Sequence, residues 1–175
     1  MPSASRLGAP AALDDVLLYR ISRLLATAGS MVIRLCEGRY GITRREWRVL
    51  ALLAQEEGLL SSQLAERAQL DRARTSKAIT SLVGKKLVHR EVRPGDRRQA
   101  LLALTDEGRA LYASLFPEVV DINRELLGAL ETAEVARLDS MFDRLQQRGE
   151  SMVAAHAELP KADRRRGGRS QRAMG

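Results

Sequence analysis

Nine basic residues stand between Asp71 and Arg98 (Arg72, Arg74, Lys77, Lys85, Lys86, Arg90, Arg93, Arg97 and Arg98), against only Asp71, Glu91 and Asp96. That local excess of six accounts for most of the net charge of +7 on the 175-residue chain. Guanidinium and ammonium groups at this density attract polyanions, although charge alone does not separate DNA, RNA and an acidic membrane surface. The cations fall in two settings. In RARTSKAITSLVGKKL, residues 72–87, the inward residues Ala78, Ile79 and Leu82 leave Arg72, Arg74, Thr75, Ser76, Lys77 and Thr80 on the outer face of a helix. In VHREVRPGDRRQALLALT, residues 88–105, four arginines surround a Pro-Gly turn. Val88, Arg90 and Val92 before the turn, and Ala100, Leu102 and Leu104 after it, alternate as in a β-hairpin.

The elements that must position these groups follow from capping residues and apolar spacing. Leu17, Ile21, Leu24, Ala28, Met31 and Leu35 form the stripe of one long helix ended by Gly38 and Gly41. Thr43 and Glu46 form a capping box opening ITRREWRVLALLAQEEG, and Gly58 closes that helix. A short helix starts near Ser61 or Ser62 with Leu64, Ala65 and Ala68 inward, and Asp71 caps the cationic helix after it. Thr105 caps a long helix with Leu111, Leu115, Val119, Ile122, Leu126 and Leu130 inward, which Pro117 should bend or briefly break. Val135, Leu138, Phe142, Leu145 and Met152 mark a last helix to about residue 156. Two short helices in tandem, the second polar outside, make a helix-turn-helix whose second member fits the major groove. The hairpin beside it is a wing, able to bring an arginine to the narrow minor groove. The long outer helices carry stripes that a second copy of the chain would bury.

The expected fold is therefore mainly α with a small β-hairpin wing: a winged helix-turn-helix DNA-binding domain plus a helical dimerisation region. The expected organisation is a disordered N-terminus (1–10), a dimerisation helix (11–40), the winged domain (41–105), dimerisation helices (106–156) and a disordered basic tail (157–175).

Other chemistries find little support. The sequence has no nucleophile motif, Gly-rich phosphate loop or His-Asp-Ser set, and acidic pairs such as Glu56-Glu57 fall at an exposed helix end. His89 and His156 have no partners at metal-ligand spacing. No enzyme, cofactor or metal site is expected. The longest apolar run, Val49–Ala54, is far short of the ~18–20 residues that span a bilayer. The first residues lack the apolar core of a signal peptide, and the single cysteine excludes an intrachain disulfide, so a cytoplasmic protein with no membrane partner is expected.

Residues 64–108, LAERAQLDRARTSKAITSLVGKKLVHREVRPGDRRQALLALTDEG, resemble the winged helix-turn-helix core of the MarR family of transcriptional regulators. The Asp-Arg-Arg wing tip followed by Leu-Thr-x-x-Gly is the most distinctive mark, and GITRREWRVLALLA resembles the family's second helix. Lys86 stands where the family usually has a glycine, and Thr75 where an apolar residue is common. The resemblance implies a homodimer built through its first and last helices, reading a double-stranded, pseudo-palindromic operator with half-sites about 10 base pairs apart. It makes Arg98 the minor-groove arginine, with Asp96 holding the wing beside Arg97 and residues 72–80 facing the major groove. It also implies release by a small aromatic carboxylate or phenolic effector, around Thr27, Met31, Arg44, Trp47 and Arg48, in a repressor of aromatic catabolism genes. Trp47 is compatible with either core or ligand wall. Two alternatives are a redox-sensing repressor acting through Cys36 and a non-specific architectural DNA-binding protein.

Overall fold

The computed structural model describes residues 5–92, 100–156 and 158. The chain divides into two compact units, Met1–Leu127 and Gly128–Gly175.

The first unit opens with a 3₁₀ turn (Leu13–Asp15), where the Asp15 carboxylate accepts from the amides of Ala11 and Ala12 at 3.2 Å each. The expected single helix is two, α1 (Leu17–Thr27) and α2 (Gly29–Arg34), followed by a π-helical turn (Leu35–Arg39). The interruption is the single residue Ala28, which keeps helical angles (φ −68°, ψ −37°) while its carbonyl accepts from the Met31 amide, three residues on, at 3.1 Å. Gly41, at φ 64°, reverses the chain, and the Ile42 amide closes the loop on the Cys36 carbonyl. Helix α3 (Arg44–Gln55) begins with the expected capping box: the Glu46 amide donates to Thr43 Oγ1 and the Thr43 amide donates to Glu46 Oε2.

Gly58, at φ 76°, leads into a two-residue strand, β1 (Leu59–Leu60). Helices α4 (Ser61–Arg67) and α5 (Arg72–Gly84) follow, then β2 (Val88–Val92) and β3 (Ala100–Leu104). The sheet is antiparallel in the order β1-β3-β2, with Leu102 opposite both Leu59 and Arg90. Its first strand is an addition to the expected hairpin.

Both helices of the pair α4–α5 end in the same motif. The amide of Gln69, at φ 51°, donates to the Glu66 carbonyl and that of Leu70 to Ala65; Lys86, at φ 59°, and Leu87 repeat this on Val83 and Leu82. These paired bonds satisfy the last helical carbonyls, and the left-handed residue they require is commonly glycine. Lys86 adopts it at a cost of about 1 kcal/mol, and the recognition helix keeps its register.

Helix α6 (Asp106–Leu127) starts where Thr105 Oγ1 accepts from the Gly108 amide and donates to the Lys86 carbonyl at 2.7 Å. Pro117 does not interrupt it. Proline leaves the carbonyl four residues earlier without a donor, and here both Ala113 and Pro117 are exposed, so water can replace the lost bond. Trp47 stacks on Tyr112 at 5.7 Å and Tyr112 on Phe116 at 5.2 Å, while Tyr40 and Arg39 both bond Glu118. Leu50, Leu53, Leu64, Ile79, Leu82, Leu102, Leu104 and Leu115 fill the core among α3, α4, α5, the sheet and α6.

The second unit contains α7 (Thr132–Ala155), whose start is held by Glu134 accepting from the Glu131 amide. Met141, Phe142, Leu145, Met152 and Val153 on it are exposed in the single chain.

Candidate nucleic-acid interface and effector cavity

The Asp71 side chain accepts from the Arg74 amide at 2.8 Å, which starts α5 immediately after the Gln69–Leu70 turn. Ala78, Ile79 and Leu82 are buried, and Arg72, Arg74, Ser76, Lys77 and Thr80 are exposed on the opposite side. Five of the six expected recognition-helix residues thus share one solvent face. Thr75 does not. It is 0% exposed, and its hydroxyl donates to the Asp71 carbonyl at 3.1 Å, so it packs inward and is removed from the DNA-facing set. One helical turn separates Thr75 from Ile79, which places both on the core side. Its methyl occupies the apolar slot while its hydroxyl finds a backbone partner. Thr75→Val should change stability by less than about 1 kcal/mol, because the Asp71 carbonyl keeps its bond from the Thr75 amide. Affinity for DNA should stay within about twofold in a fluorescence-anisotropy titration; a tenfold loss would put Thr75 back on the nucleic acid.

The basic excess is also redistributed. Lys85 Nζ donates to the Gly41 carbonyl at 2.8 Å and to both oxygens of Glu46 at 3.0 Å. Glu46 is 2% exposed. Burial alone would push its carboxyl up, but hydrogen bonds from Ser81, Thr43 and Lys85 outweigh that and hold it below the usual carboxylate range. Lys85 is therefore an internal tie between α3 and α5. Arg90, on β2, is exposed beside Ser61, Ser62 and Ser76 around a cleft of about 460 Å³ next to the recognition helix. Arg93, Asp96, Arg97 and Arg98 lie outside the described residues.

A second cavity, of about 350 Å³, lies between α1–α2 and α3. Its apolar walls are Leu25, Val32, Trp47, Ala51 and Leu52. Arg44, Arg48 and Gln55 supply the polar groups. Gly29 makes room here: a Cβ at that position would sit 3.8 Å from an Arg44 guanidinium nitrogen and 3.3 Å from Leu25. Arg48 donates to the Ala68 carbonyl, the end of α4, at 2.7 Å. Burial and then the Arg44 charge lower its affinity for a proton. Among the described residues neither Arg44 nor Arg48 has a carboxylate partner.

Of the five expected effector residues, Arg44, Trp47 and Arg48 meet at this cavity. Thr27 and Met31 do not line it; both are exposed, Met31 to 47%, because the face turned to the cavity is that of Leu25, Gly29 and Val32, at i, i+4 and i+7, and Thr27 and Met31 lie off it. Six lining residues were not foreseen: Leu25, Gly29 and Val32 on α1–α2, and Ala51, Leu52 and Gln55 on α3, the last three repeating the three-and-four spacing from Arg44 and Arg48, a signal present in the sequence. Trp47 serves both readings: it is a core residue stacked on α6 and also a cavity wall. Cys36 is fully buried. Burial, and then Glu37, push its thiol up against a smaller lowering by Arg44. A protonated thiol shielded from solvent is a poor target for oxidants, which counts against the redox alternative.

The MarR-family model matches residues 40–99, a stretch that includes α3, the helix-turn-helix α4–α5 and β2. The similarity to the MarR family thus covers about a third of the chain. Its relatives include the homoprotocatechuate degradative operon repressor of Escherichia coli, 25% identical over 113 residues, which are 65% of this chain and 76% of that protein. The crystal structure of the PcaV transcriptional regulator from Streptomyces coelicolor is 26% identical with a TM-score of 0.59, covering 75% of this chain and 98% of that one. A MarR/EmrR family regulator from Acinetobacter shares the fold at a TM-score of 0.73 and 21% identity, over 80% and 99% of the two chains. The proteins named here are transcriptional regulators by name. No helix among the described residues is long and apolar enough to cross a membrane.

Proposed function

We propose that this protein is a MarR-family repressor that occupies a pseudo-palindromic operator as a homodimer and is released by a small aromatic acid, in control of aromatic catabolism genes. The observation that carries the reading is the cavity against α3: an apolar wall sized for one ring, with two guanidiniums lacking carboxylate partners at one end. Ligand sites are mostly apolar with a few placed polar groups, and an aromatic carboxylate satisfies both parts. The Escherichia coli relative is named as the repressor of a homoprotocatechuate degradative operon, which supports the aromatic-catabolism part of the reading. The exposed apolar residues of α1 and α7, including Leu24, Leu25, Met141 and Phe142, support burial against a second copy. Recognition falls to Arg72, Arg74, Ser76, Lys77 and Thr80 in the major groove, with Arg98 reaching the minor groove and Asp96 and Arg97 completing the wing tip.

The coupling runs through Arg48. An anion that draws its guanidinium away from the Ala68 carbonyl loosens the end of α4 and hence the turn that aims α5. A ligand lowers DNA affinity only through such a difference between the free and bound states. The test titrates benzoates, cinnamates and hydroxynicotinates into the full chain, reading Trp47 fluorescence and release of a labelled duplex selected from a random pool. At least one acid should quench Trp47 and release the duplex, and Arg44→Gln should weaken it about tenfold or more, the loss of a charged hydrogen bond. Flat titrations across the panel would reject the effector reading, and equal affinity for selected and random duplexes would favour the architectural one.

A further inference from the structure

We infer that the effector cavity is one half of a two-anion site: a second subsite, formed by Arg45 and Arg74, takes the other charge of a small dicarboxylate and competes with DNA for Arg74. The inference rests on the reading of the first cavity given above. A separate cavity of about 420 Å³ shares Leu25, Arg44 and Arg48 with the first and continues to Arg45 on α3 and Leu70 and Arg74 at the helix-turn-helix. Four guanidiniums therefore border it, against one carboxylate, Glu37. Among the described residues Arg44, Arg45 and Arg48 make no ion pair, and Arg74 pairs only with Asp71, at 3.0 Å. Like charges gathered around one cavity repel each other, and an anion placed among them is favoured by all.

The two cavities differ in what they accept. The first offers a ring-sized apolar wall and the second is bordered by charge, so a ring in the first sets one carboxylate at Arg44 and Arg48, which border both cavities, and a second carboxylate is left for Arg45 and Arg74. The consequence for regulation is direct. Arg74 lies on the exposed face of α5, where a DNA phosphate or base would engage it. A carboxylate held by Arg74 and a bound duplex then exclude one another, and each weakens the other by the same factor. A monocarboxylate confined to the first cavity leaves Arg74 free.

The experiment titrates benzoate, isophthalate and terephthalate into the full chain at constant ionic strength and pH 7, by calorimetry and Trp47 fluorescence. At least one dicarboxylate should bind about tenfold or more tightly than benzoate, the gain expected from one charge-assisted hydrogen-bonded pair. Arg45→Gln and, separately, Arg74→Gln should erase that advantage while benzoate binding stays within about twofold. At matched saturation of the wild type, the dicarboxylate should release more labelled duplex than benzoate does. Equal affinities for benzoate and both dicarboxylates overturn the second subsite and leave the first reading standing. Arg45→Gln weakening benzoate and dicarboxylate alike also overturns it, since Arg45 would then act through the start of α3. No binding of any of the three acids overturns both.

Discussion

Gly108→Ala should destabilise the protein by about 2–3 kcal/mol, the usual cost of forcing atoms into a packed site. Helix propensity alone gives the opposite sign, a gain of about 1 kcal/mol for alanine inside a helix. The approach of backbone to backbone decides between them. A Cβ on Gly108 would lie 2.0 Å from the Leu87 carbonyl oxygen and 3.0 Å from its carbon. Neither atom can swing aside as a side chain would, because Leu87 begins the wing and its carbonyl accepts the Thr105 amide at 3.2 Å. Relief requires α6 to move off the base of the hairpin, breaking the bridge that Thr105 makes to Lys86. Urea unfolding should show a lower midpoint at an unchanged slope, and affinity for DNA should fall as the wing loses its anchor. An unchanged or higher midpoint would mean that α6 and the wing are not packed this closely. The same contact gives the Leu-Thr-x-x-Gly sequence a physical basis: threonine caps the helix and bridges to Lys86, and only glycine fits three residues later.

Glu46→Gln is the second large effect and depends on pH. The Glu46 carboxyl is held below its ordinary value in the fold, so its contribution is complete above the unfolded value and fades as pH falls through the folded one. The wild type should lose stability through this acid range, and the glutamine variant should lose less over the same interval. At pH 7 the variant should be less stable by about 2 kcal/mol, since it keeps an acceptor for the cap but loses the charge facing Lys85. Lys85 is partly solvated, which keeps the figure below that of a fully buried pair. The difference between the two stability-versus-pH curves isolates Glu46 from the other carboxylates. Parallel curves down to pH 3 would show that the carboxylate contributes nothing as an anion.

Local signals carried most of the fold. Thr43 with Glu46, Asp71 and Thr105 each cap a helix as their spacing requires, and the alternation on either side of the Pro-Gly turn gave the antiparallel pairing of β2 with β3. What escaped was decided by tertiary contacts. Strand β1 is two residues long, too short for any alternation, and exists because β3 offers it an edge. The division at Ala28 interrupts an unbroken apolar stripe, since periodicity records which side faces inward and not whether the backbone is continuous. Thr75 was placed outward by polarity, yet its position four residues before Ile79 puts it inside. The aromatic-and-arginine cavity was half legible: the α3 residues share one helical face, whereas α1 and α2 contribute Leu25, Gly29 and Val32, a face beside the apolar stripe that only the packing against α3 selects.

The strand order leaves β2 at an outer edge of the sheet, and its sequence there is Val-His-Arg-Glu-Val. An unpaired strand edge invites another chain to add itself, and charged side chains are a common safeguard. Arg90 and Glu91 supply such charges on β2, so this edge carries its own guard against fibre-like self-association.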